Sequence, residues 1–157
     1  MSIVSLGQLH ALLEPGARLL GLDLGEKTIG MALSDTLRFV ASPMDTMRRG
    51  KFTADANAIL TLIEEHGIGG IIIGLPLNMD GTSGAAAQSA RAFASNLAKL
   101  SDVPIVLVDE RLSTAAVTRT LLEADASRKR RGQVVDKMAA AYILQGALDQ
   151  LRTMRNA

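Results

Sequence analysis

Three acidic residues at distant positions of the chain have the residue type and the surroundings that metal-assisted chemistry requires. Asp23 lies near the end of an apolar stretch, Glu110 directly follows another, and Asp136 lies near the start of a third. Carboxylates that converge repel each other, and their pKa values rise unless cations lie between them. Oxygen ligands in a chain without cysteine favour Mg²⁺ or Mn²⁺, which commonly serve phosphate chemistry. If the fold brings these acids together, we expect a Mg²⁺ or Mn²⁺ site that acts on phosphate esters.

Each acid taken singly also has a structural interpretation. Asp23 suits a turn, and Glu110 suits an exposed loop. Asp136 suits the first turn of a helix, where the helix dipole favours negative charge. The elements that carry the three acids must decide between the structural and the chemical interpretation.

Asp23 lies in a predicted β-hairpin with strands at residues 19–24 and 28–33. Apolar residues alternate along the first strand, and a Gly-Glu-Lys turn follows it. Gly21 and Gly25 are the neighbours of Asp23 on its face of the strand, and they carry no side chains. The pattern therefore predicts a buried acid in a gap that a metal ion or a phosphate could approach.

Asp136 lies in the first turn of a last helix predicted at residues 134–154. It shares a helical stripe with Ala140, Ile143 and Ala147, at offsets of four, seven and eleven residues. This stripe is apolar, and residues 139–141 are all alanine, which would let the helix pack closely on a sheet. We therefore expect Asp136 on the inward face of the helix.

The other elements follow from hydrophobic periodicity and from Gly and Pro stop signals. Their order predicts an α/β fold: a three-stranded meander, then two parallel strands linked by helices. Asp23 and Glu110 would then meet at the carboxyl ends of the strands, where ligands bind in open α/β sheets. The further predicted elements are a short helix within residues 1–16, strands at 39–46 (broken by Pro43), 71–75 and 105–108, and helices at 52–66, 85–100 and from 113 or 114 to 126.

Composition is typical of one globular domain over residues 1–157, with residues 1–17 as a short helical extension. The chain has 48% hydrophobic and 21% charged residues, which argues against disorder. No apolar run approaches the roughly 20 residues that cross a bilayer, and the N-terminus lacks signal-peptide features. We expect a cytoplasmic protein without a membrane partner.

Basic residues are concentrated in residues 128–131 (Arg-Lys-Arg-Arg), with a smaller group at Arg48, Arg49 and Lys51. We predict that residues 128–131 form a mobile loop over the acidic site and bind phosphates, although such runs are often only solvated surface. Aromatic residues are 3% of the chain, so stacking on bases is improbable and recognition should depend on backbone and shape.

Four segments together resemble the YqgF (RuvX) family of Holliday junction resolvase-like proteins, within the RNase H-like superfamily. The resemblance implies an RNase H-like fold, with a five-stranded mixed sheet flanked by helices, and Asp23, Glu110 and Asp136 as the acidic active-site set. It also implies an endonuclease that matures the 5′ end of precursor 16S ribosomal RNA. Thr28 departs from the pattern, because the family usually has a basic residue there. The segments are GLDLGEKTIGMALSD (21–35), IIIGLPLNMDGTSG (71–84), VDERLST (108–114) and VDKMAAAYIL (135–144).

On this basis we hypothesise hydrolysis with two metal ions, with Asp23 as the shared ligand and Glu110 and Asp136 completing the shells. The products would carry 5′-phosphate and 3′-hydroxyl ends. Structured RNA, as precursor 16S rRNA, is favoured over a DNA four-way junction. The loop at 78–84 could contact 2′-hydroxyls, or could be an ordinary connection capped by Ser83. The expected nucleic-acid-binding residues are Lys27, Asn78, Thr82, Ser83, Arg111, Arg128, Lys129, Arg130 and Arg131.

Three other functions are compatible with parts of the sequence. A phosphotransferase of the actin-like or sugar-kinase type also begins with a strand-turn-strand, but it needs two such domains. A nucleic-acid-binding factor without catalysis could use the acids for a structural ion. A junction resolvase needs two active sites related by a two-fold axis, and therefore a homodimer.

Overall fold

A computed structural model of the protein describes residues 3–77, 80–82, 84–110 and 128–155, with the helical backbone alone for residues 128–137 and 155. Five strands form one sheet in the order β3-β2-β1-β4-β5. The strands are β1 (Arg18–Leu24), β2 (Thr28–Ser34), β3 (Ala41–Arg48), β4 (Ile68–Leu75) and β5 (Ile105–Asp109). The helices are α1 (Leu6–Leu12), α2 (Phe52–His66), α3 (Ala85–Ala98) and α4 (Arg128–Arg155).

The sheet has the mixed topology that the sequence predicts. β1, β2 and β3 pair as an antiparallel meander. β4 and β5 continue the sheet in parallel on the other side of β1. The carboxyl ends of β1, β4 and β5 therefore lie at one edge of the sheet, and this edge carries Asp23 and Glu110.

Successive side chains of β1 point to opposite faces of the sheet and therefore pack in two separate parts of the core. Leu19 packs in a cluster with α4, whereas Leu20 and Leu22 pack in a second cluster with α2 and α3. Asp23 is two strand positions from Gly21 and four from Leu19, so it belongs to the α4 face. Among the described residues, α4 and the short α1 thus pack on the face that holds the acid, and α2 and α3 pack on the other.

β3 differs from its prediction because it runs unbroken through Pro43. This strand lies at the edge of the sheet, where a residue without an N–H group removes no essential hydrogen bond. Pro43 is paired with Ala32, next to a register shift between Met31 and Ala32. The predicted break at Pro43 is therefore wrong, and the strand ends at Arg48.

The N-terminal segment packs against the opposite edge of the sheet. Ser5 caps α1 through a reciprocal pair of hydrogen bonds with Gln8. The Val4 N–H group donates to the Ile105 carbonyl at 2.8 Å, which partly covers the free edge of β5. Leu9 is buried in the core cluster on the α4 face of the sheet.

α4 corrects two predictions, because it begins at Arg128 and not near residue 134. Residues 128–131 are therefore helix and not loop, which agrees with the good helix propensity of Arg and Lys. Asp136 lies in the third turn, beyond the influence of the helix N-terminus, so a helix-dipole role for it is wrong. The helix predicted to end at residue 126 lies outside the described residues.

The other helix predictions are close to the structure. α2 has the predicted bounds, and the residue that caps its C-terminus is Gly67, whose φ of 62° is the left-handed conformation that favours glycine. α3 is two residues shorter than predicted at its C-terminus. No helix in the part of the chain that is described has both the length and the apolar character needed to cross a membrane.

Candidate active site

Asp23 lies on a floor of glycines. Its partner across the antiparallel pair is Gly30, and the next step of the parallel register with β4 places Gly74 on its other side. Gly21 is two residues before it on β1, and Gly25 is two residues after it, just beyond the end of the strand. Asp23 is nevertheless only 4% exposed. The carboxylate is therefore buried by the surrounding fold, while no side chain occupies its neighbouring positions on the sheet.

Glu110 lies directly after β5 and reaches back over the same floor. It is 4% exposed, and both of its carboxylate oxygens are shielded from solvent. One of them, Oε2, lies 3.7 Å from the position that a Cβ atom on Gly74 would occupy. The interpretation of Glu110 as an exposed loop residue is therefore wrong.

Gly74 is the strand position that separates these two acids. A Cβ atom there would approach Ile143 Cδ1 to 2.5 Å, so the Ile143 side chain on α4 packs directly on this glycine and would have to shift if a side chain were added. Neighbouring strands are about 4.8 Å apart. A carboxylate above Gly74 and another on the adjacent position of β1 can therefore bind the same cation.

α4 crosses β1 at close range where Gly21 leaves room. A Cβ atom on Gly21 would lie 3.0 Å from the Ala140 carbonyl oxygen and 2.8 Å from Leu144 Cβ. The helix backbone thus lies almost directly on the strand, two residues before Asp23. The run of alanines that the sequence predicts to permit such packing is buried at this contact.

The direction of α4 brings its N-terminal half toward Asp23. Gln145 accepts a hydrogen bond from the Ala41 N–H group and donates to the Phe39 carbonyl, at the opposite end of the sheet. Asp136 is one turn before the contact with β1, about 6 Å further along the axis toward Asp23. The structure describes the backbone at Asp136 and not its side chain, so its membership of the site stays a prediction.

The donor chemistry of the described pair fits a hard divalent cation. Asp23 and Glu110 offer carboxylate oxygens in a buried place without thiol or imidazole, as Mg²⁺ and Mn²⁺ prefer. No group of three His, Asp or Glu residues that could hold a metal forms among the side chains that the structure describes. A complete three-acid set would need Asp136 as well.

The predicted nucleic-acid-binding residues are described only in part. Lys27 is exposed in the turn between β1 and β2, at the same edge as Asp23. Thr82 is exposed, and its N–H and hydroxyl groups both donate to Asp80 Oδ1, at 3.0 and 2.6 Å. Helix α3 begins after Gly84, without a side-chain cap. Asn78, Ser83 and Arg111 lie outside the described residues, as do the side chains of residues 128–131.

Arg49 is a residue of this edge that the sequence analysis did not assign to the site. Its guanidinium donates to the Gly25 carbonyl at 2.7 Å, and its backbone N–H donates to the Lys27 carbonyl at 2.9 Å. It thereby ties the end of β3 to the turn that follows Asp23. The basic group at 48–51 was visible in the sequence, but the contact with the turn depends on the pairing of β3 with β2.

Comparison with known proteins agrees with this arrangement. A family profile described as "RuvX: Holliday junction resolvase" matches residues 17–150. A protein of Paramagnetospirillum magneticum named "Putative pre-16S rRNA nuclease" is 62% identical over 149 residues, covering 95% of this chain and 96% of its own length. A protein of Ruegeria pomeroyi with the same name is 58% identical over 144 residues, covering 92% and 94%.

Solved structures show the same fold at low sequence identity. Thermus thermophilus RuvC in complex with a Holliday junction substrate superposes with a TM-score of 0.54, at 11% identity over 87% of this chain and 97% of that one. A second T. thermophilus RuvC structure gives a TM-score of 0.53. This likeness confirms the RNase H-like architecture.

Proposed function

We propose that this chain, which belongs to the RuvX family and is a nuclease, acts on precursor 16S ribosomal RNA. It would hydrolyse phosphodiester bonds of that RNA with the help of a divalent metal ion. The observation that carries the proposal is the pair of buried carboxylates, Asp23 and Glu110, over the glycine floor at one edge of the sheet. A buried acidic pair is costly for a fold unless cations compensate it. The names of the two relatives support RNA as the substrate.

Asp23 and Glu110 would hold Mg²⁺ or Mn²⁺, with Asp136 as the third ligand. A bound divalent ion supplies Lewis-acid stabilisation of the phosphoryl oxygens and lowers the pKa of water that acts as nucleophile. Gly30, beside Asp23 on β2, carries no side chain that would keep a phosphodiester away, whereas the Ile143 side chain packs on Gly74. Lys27, exposed in the adjacent turn, would bind a neighbouring phosphate.

Recognition of RNA would depend on backbone and shape. Of the four aromatic residues, Phe93 is buried in the core, Phe52 and Tyr142 are half-buried, and the exposed Phe39 lies at the Asp35 end of the sheet beneath Arg152, so few rings are available to stack on bases. A-form RNA presents its 2′-hydroxyls in a wide minor groove. The Thr82 hydroxyl, exposed in the loop after β4, could accept a hydrogen bond from one of them. With precursor rRNA as its substrate, the protein would act in the cytoplasm.

A DNA four-way junction is the second candidate, favoured by the description of the family. Symmetric cleavage of a junction requires two copies of the site, related by a two-fold axis, and hence a homodimer. RNA processing has no such requirement. Substrate choice and oligomeric state can therefore be tested together.

The experiment compares one purified sample on a precursor 16S fragment and on a mobile four-way junction, each with Mg²⁺, with Mn²⁺ and with EDTA. We expect site-specific cuts in the RNA that need metal, and an intact junction. If a dimeric sample instead makes paired symmetric nicks in the junction and leaves the RNA intact, the protein is a junction resolvase and the RNA proposal is wrong. Cleavage of the RNA at full rate in EDTA would contradict the metal proposal.

A further inference from the structure

A groove opens at the edge of the sheet that carries Asp23 and Glu110, on the side of the β1–β2 turn that faces α3, whereas Asp23 itself is on the α4 face. It has a volume of about 650 Å³ and lies between residues 24–26, residues 49–50 and the first turns of α3. Gly25, at its edge, is two residues beyond Asp23, or about 7 Å along an extended chain. We propose that Arg49 binds a backbone phosphate of the nucleic acid in this groove and so positions the strand for cleavage next to Asp23.

Arg49 is held in one orientation before any ligand arrives. One guanidinium nitrogen, Nη1, donates to the Gly25 carbonyl at 2.7 Å. The guanidinium carbon lies 5.8 Å from the centroid of the Phe93 ring, in a cation–π contact. Phe93 is itself fixed edge-to-face against Phe52, with 5.2 Å between ring centroids. A preorganised side chain loses little conformational entropy when it binds.

The hydrogen-bonding capacity of Arg49 is only partly used. A guanidinium has five N–H donors in a planar fork that matches a phosphate. Within the described parts of the chain, the Nη1 contact with Gly25 is the one hydrogen bond of the guanidinium to protein. Arg49 lines the groove and is half-buried, so its remaining donors can reach a ligand there.

The groove is also lined by a negative side chain, so a second variant can test whether the groove binds phosphate. Glu26 lines it from the turn and is exposed, so it would repel a phosphate weakly. Gly25 and Gly50 add no side chains that would keep a sugar-phosphate backbone away. Replacing Arg49 and replacing Glu26 should therefore change binding in opposite directions.

Arg48 is a matched control for the loss of one positive charge. It is the last residue of β3, is exposed, and does not line the groove. Neighbouring residues of a strand point to opposite faces, so its side chain diverges from that of Arg49. Arg48→Gln and Arg49→Gln thus remove the same positive charge, but only Arg49→Gln removes it from the groove.

The inference rests on the proposed function, and binding is measured separately from cleavage. A fluorescein-labelled precursor 16S fragment is titrated in EDTA, by fluorescence anisotropy, at several salt concentrations. We expect Arg49→Gln to weaken binding about tenfold and to reduce the slope of log affinity against log salt by about 0.7–0.9. Arg49→Lys should keep the slope but recover only part of the affinity, because it lacks the planar fork.

The controls should behave differently from Arg49. Arg48→Gln should change affinity less than about twofold, and Glu26→Gln should strengthen binding. Equal losses in Arg48→Gln and Arg49→Gln would overturn the inference. So would weaker binding by Arg49→Gln with an unchanged salt slope, since that result indicates a structural role in holding the turn.

The outcome also separates this inference from the proposed function. If the unmodified protein binds the fragment with the expected dependence on Arg49 but never cleaves it with Mg²⁺ or Mn²⁺, the inference stands and the proposed activity fails. If it cleaves the fragment and Arg49→Gln binds normally, the activity stands and the inference fails. If the unmodified protein does not bind the fragment, both are overturned.

Discussion

The two ends of the sheet place the same residue type, aspartate, in different surroundings. At the end that carries Asp35, the carboxylate accepts hydrogen bonds from the N–H groups of Phe39 at 2.8 Å and Val40 at 3.1 Å. At the other end, Asp23 is buried among glycines, and Glu110 reaches over the neighbouring strand. The Asp35 carboxylate thereby fixes a loop, whereas the strand positions next to Asp23 are glycines that carry no side chains.

At the Asp35 end, side chains form hydrogen bonds mainly with nearby backbone groups. Ser34 Oγ accepts from the Leu19 N–H group at 2.8 Å and donates to the Asp35 carbonyl at 3.0 Å. Arg38, with a positive φ of 58°, donates to the Ala17 carbonyl at 2.7 Å. The hydrogen bond from Val40, and next that from Phe39, holds the pKa of Asp35 below its usual value. These contacts stabilise the fold and leave little hydrogen-bonding capacity for a substrate.

The largest expected effect is the loss of cleavage when Asp23 is replaced, with the stability of the fold preserved. Asp23→Asn should reduce metal-dependent cleavage on the order of a thousandfold. Its Tm in EDTA should change little, because asparagine has nearly the size and shape of aspartate and leaves the packing of β1 intact. Cleavage rates and thermal unfolding of the same samples test both statements.

Asp35→Asn is the matched control for that change, since it makes the same substitution at the other end. We expect it to keep the cleavage rate within about threefold, because it lies outside the site. A cleavage loss as large as that of Asp23→Asn would show that the two ends are not functionally distinct.

A second substitution tests whether α4 must pack closely on β1 at Gly21. Gly21→Ala places a Cβ atom 2.8 Å from Leu144 Cβ and 3.0 Å from the Ala140 carbonyl oxygen. Because one of these neighbours is backbone, the helix must move, and we expect a loss of about 1–3 kcal/mol in the free energy of unfolding. Urea denaturation measures this loss.

Gly146→Ala provides the comparison on the same helix. Apart from its chain neighbours and the backbone of its own helix, no described atom lies within 4 Å of the position its Cβ would take. Removing a glycine from a helix interior should then raise the free energy of unfolding by about 0.5–1 kcal/mol. If both alanine variants were equally stable, close packing of α4 at Gly21 would not be a constraint.

The smallest expected effect concerns pH at the Asp35 end. The folded-state pKa of Asp35 is lowered, so its contribution to stability is fully present above the unfolded pKa, near pH 4. The contribution is lost as the pH falls through the lower, folded-state value. Asp35→Asn should lower Tm by about 2–4 °C at pH 7, and the difference from the unmodified protein should shrink toward pH 3. A difference that is constant with pH would contradict a role for the charged form.

Local signals were sufficient for much of the fold and for the candidate acids. The β1–β2 hairpin and the bounds of α2 depend on alternation, helical periodicity and Gly stops, which are properties of a few adjacent residues. Glu110 was placed with Asp23 because parallel strands end at a common edge. The start of α4 was misplaced, because a basic run is compatible with either loop or helix and distant packing decides between them.

Only the tertiary structure decided which residues surround Asp23. Gly30 and Gly74 become its neighbours through the strand register, and Arg49 meets Gly25 because β3 is long enough to reach the turn. The sequence by itself determined the elements and the acids at their ends, since these depend on periodicity along the chain. The glycine floor and the groove at Arg49 depend on contacts between residues that are distant in sequence, and such contacts are set by the packing of the whole sheet against its helices.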